Sequence, residues 1–171
     1  MKVQLNIAGF SQYDSTILQK YQSSACGPTT IYVILRYLLK NSSELKNINE
    51  LYNILGGTKI GLFKWRLIKR LRKLLGSNWN VSECSLQEAL HQIDIGRPVA
   101  LKFDQYFSFQ WRSKHTFKYH WVPLIGYEWK NDELFLIVHD NGSRTRKSQI
   151  RKVPYSVNIK VLSFVKIEAN I

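Results

Sequence analysis

The chain has 171 residues, of which 44% are hydrophobic and 22% are charged, and its formal net charge is +13. This length suits one compact core better than two, so we expect a single globular domain over residues 1–171. The positive charge is compatible with an anionic partner such as nucleic acid, an anionic polymer or a membrane surface, but its sign does not choose among them.

Membrane and secreted proteins are not indicated. No segment has the length of uncharged apolar sequence that a membrane-spanning helix needs, and the first residues, MKVQLNIAGFSQYD, contain no apolar block of signal-peptide length. The two cysteines, Cys26 and Cys84, do not make a disulfide framework. We therefore expect a soluble protein in the reducing environment of the cytoplasm.

The first part of the chain predicts one strand followed by two helices. VQLNI, residues 3–7, alternates apolar and polar residues as a short strand does. Pro28 fits the first turn of a helix, and residues 31–39 are almost all apolar, so this helix is expected to be central and mostly buried. Apolar residues at helical spacing over 48–55 stop at Gly56, which predicts a short second helix.

Two amphipathic helices are predicted next. LFKWRLIKRLRKLLG, residues 62–76, carries its leucines and Ile68 on one stripe and most of its cations elsewhere, and Gly76 can end the helix. Ser85 and Glu88 have the spacing of a capping box, which predicts a short helix that starts near Ser85 and ends by Gly96.

The last part of the chain predicts strands. The residues are β-branched, aromatic or alternating in four segments: PVALKF (98–103), HWVPLIGYE (120–128), ELFLIVHD (133–140) and SVNIKVLSFVKI (156–167). WKND, between the second and third segments, fits a hairpin turn. Helices first and strands later predict an α+β fold with an antiparallel sheet.

Cys26 stands directly before Gly27 and Pro28, at the predicted start of the central helix. Unpaired backbone N–H groups and the helix dipole favour a thiolate there. Gly27 lets backbone pass close by and Pro28 begins the helix at once, so the sulfur is expected at the edge of a cleft. This position is typical of a nucleophile, the alternative being a small apolar residue that fills the core.

A nucleophilic cysteine needs a base, and His120 is the best placed of the four histidines because it opens a predicted strand. His91 lies within an amphipathic helix and is expected at the surface. Asp140 ends the next strand, so a hairpin would bring His120 and Asp140 to the same end of the sheet. His139 points to the opposite face from Asp140, and Asn141 is the alternative to Asp140 as the group that orients the base.

A metal site is not predicted, because the cysteines and histidines lack the paired short spacing of zinc ligands. Cys84 lacks the Gly-Pro context of Cys26 and is interpreted as structural. We expect no metal and no other cofactor.

These residues resemble a known family. The segments that carry the resemblance are SQYD, ACGPTTIYVILRYL, SLQEALHQIDIGRPVALKF, HWVPLIGYE and LIVHD followed by NG. They are similar to the papain-like cysteine peptidases of the bacteriocin-leader (double-glycine) type, and more closely to their stand-alone "C-thirty-nine-like" relatives. The resemblance spans nearly the whole chain and implies a papain-like α+β fold with helices packed on an antiparallel sheet.

The resemblance implies a cysteine peptidase in which Cys26 is the nucleophile, His120 the general base and acid, and Asp140 the residue that orients the imidazole. It also implies an upstream glutamine that donates to the oxyanion. Gln12 follows the first strand as in the family and is favoured, with Gln19 and Gln22 as alternatives. The family commonly has Asp-Pro where this chain has Asp140-Asn141.

Other functions stay open at this point. Thioester chemistry also serves acyltransferases. A papain-like scaffold could instead hold an anionic partner on the basic helix at 62–75, the RTRK segment at 144–147 and Arg151-Lys152. No nucleic-acid motif accompanies these cations, so nucleic acid is not the favoured partner. A peptide or protein substrate and a monomer are expected. QYFSFQW, residues 105–111, is either a substrate-lining wall or a packed loop.

Overall fold

The computed structural model describes residues 1–40, 45–110 and 113–170. The helices within them are α1 (Gln19–Gln22), α2 (Cys26–Leu38), α3 (Ile48–Leu55), α4 (Lys64–Leu75), α5 (Leu86–Asp94) and α6 (Tyr155–Asn158). The strands are β1 (Lys2–Gln4), β2 (Trp79–Cys84), β3 (Val99–Asp104), β4 (Tyr119–Lys130), β5 (Glu133–Asp140), β6 (Gln149–Pro154) and β7 (Leu162–Ala169).

The strands form one antiparallel sheet in the order β2-β7-β3-β4-β5-β6. β1 pairs with Gly126–Glu128 of β4, beyond the stretch of β4 that pairs with β3. β4 and β5 are consecutive and paired, as the sequence predicts. The expected α+β class with an antiparallel sheet is therefore confirmed.

Apolar side chains bury both faces of this sheet. Because side chains alternate along a strand, Ala100, Trp121 and Val165 lie on the face covered by α2, α3 and α4, whereas Leu101 and Val122 lie on the face covered by α5. The helices on the first face contribute Ile31, Ile34, Leu51, Leu55, Leu67 and Leu71 to its core. α2 is thereby packed across the sheet with its N-terminus near one end of β4.

The predicted helix boundaries follow from local capping. Gly56 ends α3 with φ of 76°, and Gly76 ends α4 with φ of 78°, both in the left-handed region where a Cβ is unfavourable. The Ser85 hydroxyl accepts from the Glu88 N–H and the Glu88 carboxylate accepts from the Ser85 N–H, which confirms the capping box of α5.

The hairpin turn between β4 and β5 is also as predicted. Lys130 pairs with Glu133, and the two residues between them, Asn131 and Asp132, have φ of 49° and 60°. Positive φ at both central positions is the geometry of a two-residue hairpin that Asn and Asp tolerate. This turn fixes the register that brings the start of β4 and the end of β5 together.

Two strand predictions had the wrong bounds, and two strands were not predicted. β1 spans only Lys2–Gln4, and β2 and β6 were not predicted. The strand predicted over 156–167 begins only at Leu162, because the preceding residues form α6 and a 3-10 turn, Ile159–Val161. The amide of Asn158 donates to the carbonyl of Pro154 at 2.8 Å and to the Thr116 hydroxyl at 2.9 Å, which stabilises the helical turn.

No helix in the described part of the chain is both long and apolar enough to cross a membrane.

Candidate active site

Cys26 is the first residue of α2 and is 5% exposed. Its thiol contacts the His120 ring and the backbone N–H groups of Trp121 and Gly27. Burial raises the pKa of the Cys26 thiol, but the hydrogen bond and charge of His120, with the two N–H groups, lower it by more, so the net shift is downward. The environment at the start of α2 therefore favours the thiolate form of Cys26.

His120 lies near the start of β4, opposite Phe103 of β3. Its Nε2 is 3.2 Å from Oδ1 of Asp140, which leaves Nδ1 as the ring nitrogen for the thiol. Burial lowers the pKa of the imidazole, but the bonds to Asp140 and Cys26 and their negative charges raise it to about 9. The ring therefore favours its protonated form between a thiolate and a carboxylate.

Asp140 is the last residue of β5 and is 1% exposed. Oδ1 also accepts the Gly142 N–H, and Oδ2 accepts from Arg146 at 2.8 Å and Arg151 at 3.1 Å. Burial raises the pKa of this carboxyl, but His120 and the two arginines outweigh it and hold the pKa well below its usual range. A buried carboxylate is thus kept ionised and fixed in orientation.

The sequence placed both arginines in a possible anion-binding surface and did not predict their contacts with Asp140. Arg151 also lies over the Phe117 ring, 4.9 Å from its centroid, and the Phe117 ring lies 4.8 Å from that of His120. Arg151 is on β6, where it pairs with Val138 and so shares the sheet face of Asp140. Because β6 was not predicted, the sequence offered no signal for this contact.

Asn141, the alternative to Asp140, does not contact His120 but connects the elements of the site. Its amide donates to the carbonyls of Trp121 at 2.8 Å and Cys26 at 3.1 Å, and to the Thr30 hydroxyl at 3.1 Å. These bonds tie the first turn of α2 to β4. Asn141 is therefore bonded to both elements that carry the thiol and the imidazole, whereas Asp140 is bonded to the His120 ring itself.

The three candidate glutamines occupy different environments. Gln12 is buried, its backbone N–H donates to the Asn141 carbonyl at 2.9 Å, and its Nε2 donates to the Gln22 carbonyl at 2.8 Å. The side-chain amide of Gln22 donates to the carbonyls of Asp14 and Ile17. Gln19 is exposed on α1. Of the three, Gln12 is bonded to the network that surrounds Cys26.

The remaining histidines and the second cysteine lie apart from this cluster. His139 packs so closely over Gly9 that a Cβ there would lie 1.9 Å from the ring, which explains the glycine. His91 is exposed on α5, and His115 is bonded through Nδ1 to the Val157 carbonyl. Burial and the nearby Glu88 carboxylate raise the pKa of Cys84 to about 11, so the two thiols differ sharply in acidity.

Many cations of the predicted basic surface are engaged within the protein. On α4, Arg66, Arg70 and Arg72 donate to the backbone carbonyls of Gly56, Ile54 and Val81. In the RTRK segment, Arg146 is bonded to Asp140. These contacts give the arginine side chains structural roles, and their positive charges remain. Within the described residues, no group of three or more His, Cys, Asp or Glu could hold a metal.

The sequence matches the model of the Peptidase_C39 like family over residues 4–168. Of solved structures, it is similar to a protein described as a C39-like peptidase from Bacillus anthracis, with TM-score 0.61 and 16% identity over 99% of both chains. It is also similar to a double glycine motif protease from an AMS/PCAT transporter in complex with the leader peptide, with TM-score 0.57 and 13% identity over 96% of this chain and 94% of the other.

A third similar structure is the peptidase domain of Streptococcus ComA, a bifunctional ABC transporter of a quorum-sensing pathway. Its TM-score is 0.56 and its identity 12% over 92% of this chain and 96% of the other. No curated protein sequence matched the chain. At these identities the structures show the fold, which confirms the expected papain-like architecture.

Proposed function

Because the chain belongs to the Peptidase_C39 like family, we propose that it is a cysteine peptidase that hydrolyses a peptide or amide bond with Cys26, His120 and Asp140. The observation that carries this proposal is the continuous contact of thiol, imidazole and carboxylate, supplied by α2, β4 and β5. The same three groups make a nucleophile, a base and a group that orients the base.

In the proposed mechanism the Cys26 proton resides on His120 before attack. The opposite pKa shifts of the two groups support this, since each favours the charged form of the pair. The thiolate forms a bond to the carbonyl carbon of the substrate, and the carbonyl electron pair moves to oxygen. The tetrahedral intermediate collapses, the amine leaves with the proton of His120, and a thioester on Cys26 remains.

Water then completes the reaction. His120, now neutral, accepts a proton from the water that attacks the thioester and keeps it, while the sulfur leaves as the thiolate, which restores the starting ion pair. Asp140 holds the ring in place and stabilises the imidazolium in both steps. The arginines act through Asp140, as positioning residues that keep its carboxylate ionised and aimed.

We assign the oxyanion contacts to the Cys26 backbone N–H and the Gln12 amide. An amide nitrogen carries two N–H groups, so the bond to the Gln22 carbonyl leaves one for an oxyanion. The buried position of Gln12 beside Asn141 supports this assignment over Gln19 and Gln22. Such donors act best when they are held in place before the reaction, as this network does.

The substrate is proposed to be a peptide or an extended protein segment. One similar structure, the double glycine motif protease, is in complex with a leader peptide. The thiol lies where the start of α2 meets one end of the sheet, and a chain laid in extended form along that edge would bring its scissile carbonyl beside the sulfur.

The proposal is tested with a peptide pool made by digesting denatured proteins, with new fragments identified by mass spectrometry. The wild-type chain should produce new termini, and Cys26→Ala should produce none. Cys84→Ala is the matched control and should cleave as the wild type does. Equal cleavage by Cys26→Ala, or no cleavage by the wild type, contradicts the proposal.

A further inference from the structure

A cavity of about 500 Å³ opens beside the candidate active site, between the start of α4, the end of β3 and the start of β7. Its volume lies within the range of about 300–1,000 Å³ that is typical of ligand pockets. Most of the lining surface is apolar, although Lys64, Lys102, Lys160 and Asp104 also contribute to it. The other side chains on which the inference depends are Phe63, Trp65, Phe107, Leu162 and Ser163.

Two rings separate this cavity from the Cys26 thiol. The backbone N–H of Trp121 contacts the thiol, while its ring lies 5.7 Å from Nζ of Lys102 in the cavity wall. The Tyr119 ring lies 4.8 Å from the same Nζ. Both side chains donate to the carbonyl of Leu62, next to Phe63 of the cavity lining. The cavity therefore adjoins the thiol across the width of an aromatic side chain.

A buried ion pair shapes the cavity. Nζ of Lys102, a residue 5% exposed, lies 2.7 Å from Oδ2 of Asp104, and Oδ1 of Asp104 accepts the Phe107 N–H at 2.9 Å. The Phe107 ring meets Phe63 edge to face at 5.7 Å. These contacts fix the loop after β3, so that the Phe107 ring lines one side of the cavity and the Lys102 ammonium lines another.

We propose that this cavity binds a large apolar side chain, with aromatic ones preferred, from the residue two positions before the scissile bond of a peptide substrate. The inference rests on the proposed peptidase function. An extended chain advances about 3.3 Å per residue, so the Cα two positions before the scissile bond lies about 5 Å from the attacked carbonyl, and a long side chain there can reach past a ring that borders the sulfur.

Two properties of the lining favour an aromatic occupant. The walls offer ring faces and edges for stacked or edge-to-face contacts, and the Lys102 ammonium already lies among the rings of Phe107, Tyr119 and Trp121, where another aromatic face would meet a cation. A glycine at the same substrate position would leave the cavity unfilled, so we expect a rate difference of about tenfold or more.

The test uses two peptidyl acyloxymethyl ketones, acetyl-Ala-Phe-Gly and acetyl-Ala-Gly-Gly, in which the thiolate displaces the carboxylate group and forms a thioether. Intact-protein mass spectrometry gives the labelling rate of Cys26 by each, divided by the rate with iodoacetamide. The Phe compound should label about tenfold faster or more. Ser163→Phe, which fills the cavity, should remove the difference, and Phe107→Ala, in an exposed loop, should reduce it.

Ser77→Phe is the matched control, because it adds the same side chain at an exposed position beyond the far end of α4. It should keep the wild-type ratio. Equal rates for the Phe and Gly compounds in a protein whose Cys26 reacts readily with iodoacetamide would overturn the cavity inference and leave the peptidase proposal standing. A Cys26 that does not react even with iodoacetamide would overturn both.

Discussion

Oδ1 of Asp140 lies 3.2 Å from Nε2 of His120, which joins the end of β5 to the start of β4. The hairpin turn at Asn131 and Asp132 sets this pairing, because it fixes which ends of the two strands meet. The other carboxylate oxygen is bonded to Arg146 and Arg151, so Asp140 has partners on both sides although it is buried. The orientation of the imidazole thus depends on residues from three segments of the chain.

The two arginines should compensate for one another in stabilising Asp140. Each is about one-third exposed, so solvent screens its charge, and we expect Arg146→Met or Arg151→Met alone to cost about 1 kcal/mol or less. The double variant leaves a buried carboxylate with fewer partners and should cost about 3 kcal/mol, more than the sum. Urea unfolding measures each free energy.

Arg144→Met is the matched control for these variants, because Arg144 is exposed in the same loop. It should leave the unfolding free energy unchanged. In an Asp140→Asn background, the two arginine substitutions together should lower the free energy of unfolding by much less than they do in the wild type. A cost that stays the same in that background would show that the arginines stabilise the protein through something other than Asp140.

Gln12 should stabilise the oxyanion without changing the reactivity of the Cys26 thiol. Gln12→Ala should weaken the binding of a peptide aldehyde, whose adduct with Cys26 places an oxygen in the oxyanion position, by about 100-fold or more. Protection of Cys26 from iodoacetamide measures that affinity, and the iodoacetamide rate without aldehyde should stay near the wild-type value. Gln19→Ala, at an exposed position, is the control. A loss confined to Gln19→Ala would reverse the assignment.

Stability should fall in acid through Asp140. The folded-state pKa of this carboxyl lies below its ordinary value of 3.8, so its contribution is present above about pH 3.8 and is lost as the pH falls further. His120 does not add to this dependence, because with a folded-state pKa of about 9 and an ordinary value of 6.5 it is protonated in both states below pH 5.

The free energy of unfolding, measured in urea at pH 5 and pH 3, should therefore fall more steeply for the wild type than for Asp140→Asn. Between these two pH values the wild type should lose about 1 kcal/mol more than Asp140→Asn, because the full one-proton slope of about 1.4 kcal/mol per pH unit applies only below pH 3.8. Asp132→Asn, in the exposed hairpin turn, is the matched control and should keep the wild-type slope. Parallel curves for the wild type and Asp140→Asn would contradict an ionised, bonded carboxylate.

Elements with strong local signals were predictable from the sequence. α4 and α5 have one apolar stripe each and recognisable ends, and β3, β4 and β5 are apolar runs bounded by turns. β6, QIRKVP, is an edge strand in which only Val153 is buried, so it has no clear alternation. The segment before β7 alternates like a strand, but the side-chain bonds of Asn158 favour a helical turn, and these bonds involve Thr116, far away in sequence.

The residues of the candidate site were likewise predictable only where they lie in elements with strong local signals. Cys26, His120 and Asp140 each stand at the end of a predictable element, so topology was enough to bring them together. The arginines required the register of an unpredicted strand and the reach of long side chains. The ion pair of Lys102 and Asp104 was weakly indicated, because residues two apart on a strand lie on the same face of the sheet. The sequence did not indicate that this face borders a cavity. Trp111, in the aromatic loop, lies outside the described residues.

His120 is proposed to share a proton with the Cys26 thiol and to lower the pKa of that thiol. The most direct measurement is the rate at which limiting iodoacetamide alkylates each cysteine between pH 5.5 and pH 9, read by peptide mass spectrometry in the wild type, in His120→Ala and in the exposed control His91→Ala. We predict that Cys26 reacts well before Cys84 at pH 6, since burial raises the pKa of Cys84 to about 11, and that only His120→Ala moves the Cys26 profile to higher pH. A Cys26 no more reactive than Cys84 at pH 6, or one whose profile is unchanged in His120→Ala, would contradict the claim.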